Sequence, residues 1–516
     1  MTYGWKTSFI ALTMGFSTHL YNVDFKRCIV FVAQFRSHIS PVMAITKELE
    51  KYNHSATFVL STTMDKEIRT KGLSIKSVVA NSLDKASFFD DIQAILEMKM
   101  NGSLNFPLLD LQLFRNAYDH CHSFSTDDEL FGILEAAKFD YAIVDFGPFL
   151  CYEILAYKLS LPFIFVSAIY DQDLHRTPFN PACMPAFLSG FTDKMTFWER
   201  MINTLVYTHQ LIKPTMPSFG NLVTKYVPEK PFMSNSELKQ NFLLHIINGD
   251  ILMDYPIPIA SNAILCGGLA TGPAKSLISR IESFVEKSKD GLVIVSFGSI
   301  IKTYPEEIMN KLISAFQKLK DLNFIFRSGD YEKEDGNILL LPWLPQNDLL
   351  GHVKTKLFIT HCGKSSVFEA LYHGVPMITF PIALDQNSNA AVINEKGYGI
   401  AMDILEFSVN ELVENVKKVV HNSTFTFSIK NASAIFHSRP QTPTQRAAYW
   451  IDLVTKYGSE HFRPASLDMP WYSYFMVDVY LVYLVGLVFV VYSFKLFLKN
   501  CIKLCCRKKN VKQKLQ

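Results

Sequence analysis

The chain has 516 residues, of which 49% are hydrophobic, so it is long enough for two large domains and too long for one hydrophobic core. Its formal net charge is +3, but the segment after residue 494 contains eight Lys or Arg residues and no acid, which leaves 43 basic against 48 acidic residues in the rest. A mildly acidic body without a basic cluster excludes nucleic-acid binding as the main function.

The amino end has the layout of a cleavable signal peptide. Lys6 precedes an apolar stretch, residues 9–16, and the small residues Ser17 and Thr18 follow. We therefore assign residues 1–23 to a signal peptide and expect the protein to enter the secretory pathway. A core strand would give a similar apolar run, but residues 28–33 make a better first strand.

The first half of the chain then alternates between strand-like and helix-like segments. Residues 28–33, 57–60 and 141–144 are apolar runs typical of buried strands, and residues 41–52 have the spacing of an amphipathic helix. This alternation predicts a parallel sheet covered by helices.

Two polar residues follow strands of this predicted sheet. His38 lies in the expected loop after the first strand, just before Pro41, whose fixed φ suits the first turn of a helix. Asp145 ends a later strand, so its carboxylate could emerge at the same sheet edge and orient the imidazole. Taken alone, a loop histidine and an aspartate after a strand are usually structural.

The same alternation returns in the second half. Residues 292–295 and 323–326 are predicted strands, and residues 305–322 are a predicted helix. We therefore expect a second α/β domain, with the boundary between the two near residues 272–275.

Residues 343–386 contain a pattern typical of a phosphate site. A predicted strand, residues 356–360, leads into a tight loop in which His361 is followed by Gly363, and Ser365 and Ser366 open a helix. The first amides of a helix lack internal partners and carry the positive end of the helix dipole, so they attract anions. An alternative stays open here, because Ser365 could be only a helix N-cap and His361 only a loop residue.

Other residues of this stretch suit a nucleoside and a sugar. Trp343 and Gln346 follow another predicted strand, at the sheet edge where α/β proteins bind ligands. Glu369 lies four residues after Ser365, on the helix face that looks onto the loop, and its carboxylate could accept two ribose hydroxyls. Asp385 and Gln386 come after the apolar run 377–380 and offer an acceptor and an amide to sugar hydroxyls.

The carboxyl end predicts one membrane span. Residues 471–494 are long and apolar enough to cross a bilayer, and their single charge, Asp478, lies toward the amino end where water is reachable. The basic residues that follow place residues 1–470 in the lumen and the tail, residues 495–516, in the cytosol. Four sequons would then be luminal, at Asn53, Asn101, Asn422 and Asn431.

The stretch 343–386 closely resembles the signature of UDP-glycosyltransferases over its whole length of 44 positions, and the whole chain resembles the membrane-bound UDP-glucuronosyltransferases. It departs from the family at Cys362, where animal members commonly have Gly, and at Ser365, where Asn is usual. Further segments that carry the resemblance are Arg36-Ser37-His38, 139–145, Met195-Thr196-Phe197 with Arg200, Phe297-Gly298-Ser299, Ser438-Arg439-Pro440 and His461-Phe462-Arg463-Pro464.

The resemblance implies a role for each candidate residue. His38 would be the catalytic base and Asp145 its orienting partner. Trp343 would stack on uracil, Gln346 would lie near the nucleoside and Glu369 would hold the ribose. Asp385 and Gln386 would recognise the transferred sugar by hydrogen bonds to its hydroxyls. The diphosphate would be met by His361, Gly363, Ser365, Ser366 and Ser299.

The resemblance also implies the architecture, a GT-B fold in which two Rossmann-like domains face each other across a cleft. We expect an acceptor-binding domain at residues 24–272, a UDP-sugar-binding domain at 273–445, a helical return segment at 446–470 and the transmembrane helix at 471–494. The tail ends in a lysine-based sequence that resembles a retrieval signal, which predicts a single-pass type I glycoprotein of the endoplasmic reticulum.

The expected activity is inverting transfer of glucuronate, or another hexose, from a UDP-sugar to small lipophilic acceptors, as in detoxification. UDP-glucuronate or UDP-glucose would be a co-substrate, and we expect no permanent cofactor or metal. The alternatives are a UDP-glucosyltransferase and a catalytically silent UDP-binding protein held at the membrane; whether the chain forms a homo-oligomer stays open.

We expect structural roles for Asp171-Gln172-Asp173, which matches a Mn²⁺ motif of another glycosyltransferase fold, and for His120-Cys121-His122.

Overall fold

The computed structural model describes residues 25–84, 117–147, 150–187, 189–212, 220–301, 303–329 and 331–513. The predicted signal peptide, the sequon at Asn101 and the last three residues of the basic tail lie outside these ranges. The other three sequon asparagines, Asn53, Asn422 and Asn431, are exposed, and their glycosylation stays a prediction.

The first lobe is built on a sheet of seven parallel strands in the order β3-β2-β1-β4-β5-β6-β7. Its central strands are buried along their whole length, which explains their unbroken apolar sequences. The chain reverses its direction of travel across the sheet between β1 and β4, and ligands bind at such a switch point. The strands are β1 Lys26–Phe31, β2 His54–Leu60, β3 Lys76–Val79, β4 Tyr141–Asp145, β5 Phe163–Ser167, β6 Leu244–Ile247 and β7 Ala263–Leu265.

The second lobe repeats this plan with the strand order β10-β11-β9-β8-β12-β13-β14. All neighbours are parallel except β10, which runs antiparallel to β11 at the edge. The switch point here lies between β8 and β12, so each sheet offers its own crevice at the carboxyl ends of its strands. The strands are β8 Gly291–Ser296, β9 Leu322–Arg327, β10 Lys333–Asp335, β11 Ile338–Leu341, β12 Thr355–Thr360, β13 Met377–Thr379 and β14 Gly399–Ala401.

Helices cover both faces of each sheet and enclose two apolar layers per lobe. In the first lobe they are Arg36–Leu49, Thr62–Thr70, Asp128–Ala137, Glu153–Lys158, Gln172–His175, Phe197–Ile212, Leu222–Tyr226 and Asn235–Gln240. In the second lobe they are Ser279–Glu286, Glu306–Gln317, Gln346–Leu350, Lys364–His373, Gln386–Glu395, Val409–His421 and Ser423–His437. The helices Pro443–Tyr457, Trp471–Tyr474 and Val477–Gln513 follow.

The first helix begins earlier than the sequence predicts. It spans Arg36–Leu49, so His38 lies in its first turn, and the prediction of a loop at His38 is wrong. Phe35 takes the N-cap position in an extended conformation, and its carbonyl accepts hydrogen bonds from the amides of His38 and Ile39. Pro41 then falls at the sixth helical position, where its missing N–H costs one hydrogen bond.

The helix Pro443–Tyr457 returns from the second lobe to the first. Its residues Ala447, Ala448, Ile451 and Val454 pack in the same apolar cluster as β1. The predicted boundary near residues 272–275 falls between β7 and the helix Ser279–Glu286, and it stays a prediction.

Within the described residues, one helix is long and apolar enough to cross a membrane, over Val477–Lys503. The predicted span started six residues earlier, at Trp471. Trp471–Tyr474 instead form a separate short helix after Pro470, because Met476 has a positive φ of 53° and interrupts the helical path.

One disulfide joins Cys121 to Cys151 in the first lobe. The sequence could not predict this pairing, because the cysteines are scattered. Cys28, Cys266 and Cys362 are free and buried.

Candidate functional site

A cleft of about 420 Å³ lies between the carboxyl edges of the two sheets. Both switch points open onto it, because the loops after β1 and β4 face those after β8 and β12. All twelve candidate residues from the sequence line this one cleft: His38, Asp145, Ser299, Trp343, Gln346, His361, Gly363, Ser365, Ser366, Glu369, Asp385 and Gln386.

The first lobe contributes a hydrogen-bonded histidine and aspartate. His38 Nδ1 lies 2.7 Å from Asp145 Oδ2, and the same oxygen accepts a hydrogen bond of 3.0 Å from the amide of Ala33. Asp145 is only 5% exposed, whereas 36% of the His38 side chain is accessible. With Nδ1–H donated to the carboxylate, Nε2 is the ring atom left to accept a proton.

Electrostatics at this pair favour the protonated imidazole. Burial alone would lower the pKa of His38, but the Asp145 carboxylate outweighs it, and Asp385 of the second lobe adds to the same effect. The pKa of His38 is therefore raised above 6.5, which is the direction expected for a base that must take a proton near neutral pH.

The second lobe presents His361 between two glycines. A Cβ on Gly298 or on Gly363 would lie 2.5 Å from His361 Nε2, so only glycine lets the two loops close on the ring. Burial lowers the pKa of His361 to about 4, and the neighbouring Arg327 acts in the same direction. The imidazole is therefore neutral at pH 7 and can donate one N–H without bringing a charge.

The loop after β12 continues through a strained residue. Cys362 has a φ of +69°, a conformation in which a non-glycine residue is uncommon, and its side chain is fully buried. This backbone geometry explains why glycine is usual at this position in the resembling family. The thiol packs in the apolar core of the second lobe.

The helix after this loop spans Lys364–His373, with Gly363 at the N-cap. Ser365 and Ser366 are therefore its second and third residues, and the alternative that Ser365 is an N-cap is wrong. Both hydroxyls line the cleft next to the free amides of the first turn. The structure thus gathers hydroxyls and amides at a helix amino terminus, an arrangement that suits a diphosphate.

Gln346 and Glu369 are joined by a hydrogen bond in the cleft, which Trp343 also lines. The amide Nε2 of Gln346 donates to Glu369 Oε2 at 2.5 Å and to the Ser366 hydroxyl at 3.1 Å. Burial raises the pKa of Glu369 to about 7, against the opposing hydrogen bond from Gln346. Trp343 is 44% exposed, and the Arg36 and Lys71 side chains lie 4.4 and 4.2 Å from the centre of its ring.

Asp385 and Gln386 lie at the start of the helix Gln386–Glu395, six and seven residues beyond the end of β13. Asp385 Oδ2 accepts a hydrogen bond of 2.7 Å from Asn389, while Gln386 Oε1 accepts from the amides of Ile382 and Ala383 at 2.7 and 3.0 Å. Burial raises the pKa of Asp385, whereas Lys364 and His38 lower it. Asp385 therefore interacts electrostatically with His38 of the other lobe.

Three cationic residues of the cleft were missed by sequence reasoning. Lys364 pairs across the lobes with Asp254, and Arg327 fixes the loop of Ser299 by donating to the carbonyls of Gly298 and Ile301. The Arg36 guanidinium lies 4.4 Å from the centre of the Trp343 ring. Arg36 and Lys364 lie within the segments that carry the family resemblance. Their place in those segments was the only signal in the sequence that could have identified them as residues of the cleft.

The two motifs for which the sequence analysis expects structural roles make contacts of that kind. Asp171 caps the helix Gln172–His175 by accepting from the amide of Leu174 at 2.9 Å. Cys121 is in the disulfide, and His120 Nε2 lies 3.0 Å from the Tyr152 hydroxyl.

Comparisons with known proteins show which family the chain resembles. The profile of the family described as "UDP-glucoronosyl and UDP-glucosyl transferase" matches residues 27–514. UDP-glucuronosyltransferase 1A7 of Mus musculus is 31% identical over 81% of this chain and 79% of its own length. UDP-glucuronosyltransferase 2B15 of Homo sapiens is 28% identical over the full length of both chains.

Solved structures support the fold. The glycosyltransferase of kitacinnamycin superposes with a TM-score of 0.57 at 17% identity, covering 83% of this chain and 98% of that one. A UDP-glucosyltransferase from Polygonum tinctorium gives 0.56 at 16% identity, covering 84% and 98%. The two facing Rossmann-like lobes are the predicted GT-B fold, which is thereby confirmed.

Proposed function

The chain belongs to the UDP-glucuronosyl and UDP-glucosyl transferase family, and from this premise we propose that it transfers glucuronate from UDP-glucuronate to small lipophilic acceptors with inversion at the anomeric carbon. The observation that carries the proposal is the shared cleft, in which the His38–Asp145 pair of one lobe faces the anion-binding loop of the other.

In the proposed reaction, His38 Nε2 takes the proton from an acceptor hydroxyl as the acceptor oxygen attacks the anomeric carbon. The new carbon–oxygen bond forms on the face opposite to UDP, the bond to the diphosphate oxygen breaks, and its electron pair leaves with UDP. Asp145 stabilises the imidazolium that results. A positioned base of this kind contributes roughly 10² to 10⁴ in rate.

The second lobe would receive the leaving diphosphate. The amides at the start of the helix Lys364–His373, the Ser299, Ser365 and Ser366 hydroxyls and the neutral His361 ring would stabilise its developing charge. Trp343 would stack on uracil and Glu369 would hold the ribose. These groups are the basis of our proposal that the reaction needs no permanent cofactor.

A second pocket beside the cleft suits the acceptor. It shares Ala168, Lys364 and Asp385 with the cleft, and its walls in the first lobe include Tyr170, Ala186, Phe187, Phe191 and Ile259. Aromatic and aliphatic walls with a few polar groups at one end are typical of sites for small apolar molecules.

UDP-glucose is the second candidate donor. Glucuronate requires a cation near its carboxylate, and Lys364 lines the cleft beside Asp385. The Lys364 ammonium is already paired with Asp254, however, and Asp385 adds a second carboxylate nearby. That local balance of charge is the observation in favour of a neutral hexose as the second candidate, whereas the similarity to UDP-glucuronosyltransferases supports glucuronate as the first. A catalytically silent binding protein is the least favoured alternative, because it would have no need for a base and its orienting partner.

For the setting of the reaction, we propose the membrane of the endoplasmic reticulum. The apolar helix Val477–Lys503 is the candidate anchor, and the basic residues after it favour a cytosolic tail and luminal lobes.

The test is release of UDP from UDP-glucuronate and from UDP-glucose with a panel of phenols, for the full-length protein and its His38→Ala variant. We expect acceptor-dependent release with UDP-glucuronate that the variant loses. Release of UDP only from UDP-glucose would show that UDP-glucose, and not UDP-glucuronate, is the donor. Acceptor-dependent release that survives in the variant would refute His38 as the base. No release from either donor would favour the silent binding protein.

A further inference from the structure

The helix Phe197–Ile212, here called the outer helix, has its apolar side turned away from the protein. Phe197, Trp198, Met201, Ile202 and Leu205 are each between 44% and 65% exposed. Their spacing of one, three or four residues places them on one face. A surface helix of a water-soluble protein has the opposite arrangement, so this face calls for an apolar partner.

The side of the outer helix that faces the protein is polar and holds it in place. Asn203 is fully buried; its oxygen accepts from the Ala186 amide at 2.7 Å, and its nitrogen donates to the Pro181 and Met184 carbonyls, each at 2.9 Å. These bonds fix the rotation of the helix about its axis. The exposure of the apolar face is therefore built into the fold.

The outer helix is linked to the segment that enters the membrane span. Its residue Tyr207 stacks on Phe179 with 3.8 Å between ring centres. Three residues before Phe179, Arg176 donates to the Ser466 carbonyl at 2.8 Å, and its guanidinium lies 5.3 Å from the ring centre of Tyr474. Tyr474 precedes the candidate span, which starts at Val477, by three residues.

The exposed face also carries few charged side chains, as expected of a surface that contacts lipid. Between Phe197 and Leu211 the only acidic or basic residues besides His209 are Glu199 and Arg200, and both bond to the backbone just before the helix, at Thr196 and Met195. Exposed aromatic residues at the start of the span would lie at the same membrane surface: Trp471, Tyr472 and Phe475.

We propose that the outer helix lies in the interface of the membrane that the carboxyl-terminal helix crosses, with its apolar face among the lipid acyl chains. At 1.5 Å per residue its 16 residues would cover about 24 Å of that surface. A second copy of the chain is the other apolar occupant, but continuity with the anchoring segment favours lipid.

The outer helix would also bring the apolar pocket to the membrane surface. Gln210 donates to the Phe187 carbonyl at 2.7 Å, and Ala186, which binds Asn203, lines the same pocket. If that pocket takes the acceptor, as proposed above, lipophilic acceptors dissolved in the membrane would have a short path to the cleft. The lipid contact itself does not depend on this assignment.

The test uses the intrinsic fluorescence of Trp198 in the full-length protein, reconstituted in phosphatidylcholine vesicles with plain or acyl-brominated chains. Subtracting the spectrum of a Trp198→Phe variant removes the other four tryptophans, including Trp471 near the span. We expect blue-shifted Trp198 emission that loses most of its intensity in brominated lipid. Red-shifted and unquenched emission would refute the proposal, and blue-shifted but unquenched emission would assign the face to a second copy.

A matched control moves the indole to another exposed apolar position. Phe427 is 73% exposed on the helix Ser423–His437 of the second lobe, without a described contact to the span. In a Trp198→Phe/Phe427→Trp variant, after subtraction of the same Trp198→Phe spectrum, we expect red-shifted emission from residue 427 that brominated lipid leaves unchanged. Equal quenching at both positions would show that lipid contact is not specific to the outer helix and would overturn the proposal.

Discussion

The two halves of the cleft differ in the structural features that set the protonation state of their histidines. The amino-terminal half depends on one charged pair, in which Asp145 raises the pKa of His38. The carboxyl-terminal half depends on backbone geometry, because His361 fits only between Gly298 and Gly363 and burial keeps it neutral. The difference implies that a substitution in one half can impair the proposed proton transfer without impairing the proposed UDP binding, and the reverse.

Replacing His38 by Ala should have the largest effect. Without the proposed base, turnover should fall by roughly 10² to 10⁴, while the affinity for UDP stays unchanged because the proposed UDP site lies in the other lobe. Single-turnover rates and calorimetric titration with UDP measure the two properties. His421→Ala, at an exposed position on the helix Val409–His421, is the control. A matching loss of UDP affinity in His38→Ala would contradict the separation of the two halves.

The Asp145→Asn variant should be less impaired and should respond differently to pH. Loss of one charge-assisted hydrogen bond costs about 1.5–3 kcal/mol, or roughly ten- to a hundred-fold in rate. A base acts only when neutral, so kcat/KM of the wild type should fall as pH drops through the raised pKa of His38, above 6.5. Since the Asp145 charge raises that pKa, the falling limb should move to lower pH in the variant. An unmoved limb would mean that another group titrates.

In the carboxyl-terminal half, Gly298→Ala should weaken UDP binding. The new methyl group would meet the His361 ring, and the φ of +84° is strained for alanine. We expect a loss of about 1–2 kcal/mol, roughly five- to thirty-fold in affinity. Gly132→Ala is the matched control, because nothing lies within 4 Å of its added Cβ. Normal UDP affinity in Gly298→Ala would show that the glycine contact is dispensable.

The smallest expected effect concerns Glu369, whose pKa of about 7 makes its charge sensitive to mild acid. The ionised carboxylate can accept from both ribose hydroxyls, so UDP affinity should decrease as pH falls from 8 to 6. We expect a change of about 1 kcal/mol, roughly five-fold. The Glu369→Gln variant should keep only the pH dependence that comes from the UDP phosphate, and an equal slope in both proteins would assign the titration elsewhere.

Much of this site could be predicted from the sequence, because its residues follow apolar strands and parallel strands end at a common edge. Where a helix begins or ends was less predictable. The extended residue Phe35 starts the first helix before Pro41, and the predicted helix 305–322 ends at Gln317 because Leu322 already belongs to β9.

Contacts between distant parts of the chain could not be predicted. Lys364 meets Asp254, and Arg36 meets Trp343, only after the two lobes come together. Likewise, the apolar spacing of the outer helix does not reveal which side faces the protein. That side is set by hydrogen bonds from Asn203 to a segment about twenty residues earlier.

The return of the helix Pro443–Tyr457 to the first lobe determines which part of the enzyme is tied to the bilayer. After this helix the chain stays with the first lobe, where Leu467 joins its core and Arg176 binds the Ser466 carbonyl. The candidate anchor therefore extends from the first lobe, although it follows the second lobe in sequence. In the proposed orientation, opening of the cleft to exchange nucleotide would move the second lobe through the aqueous lumen, while the first lobe keeps its position at the lipid surface.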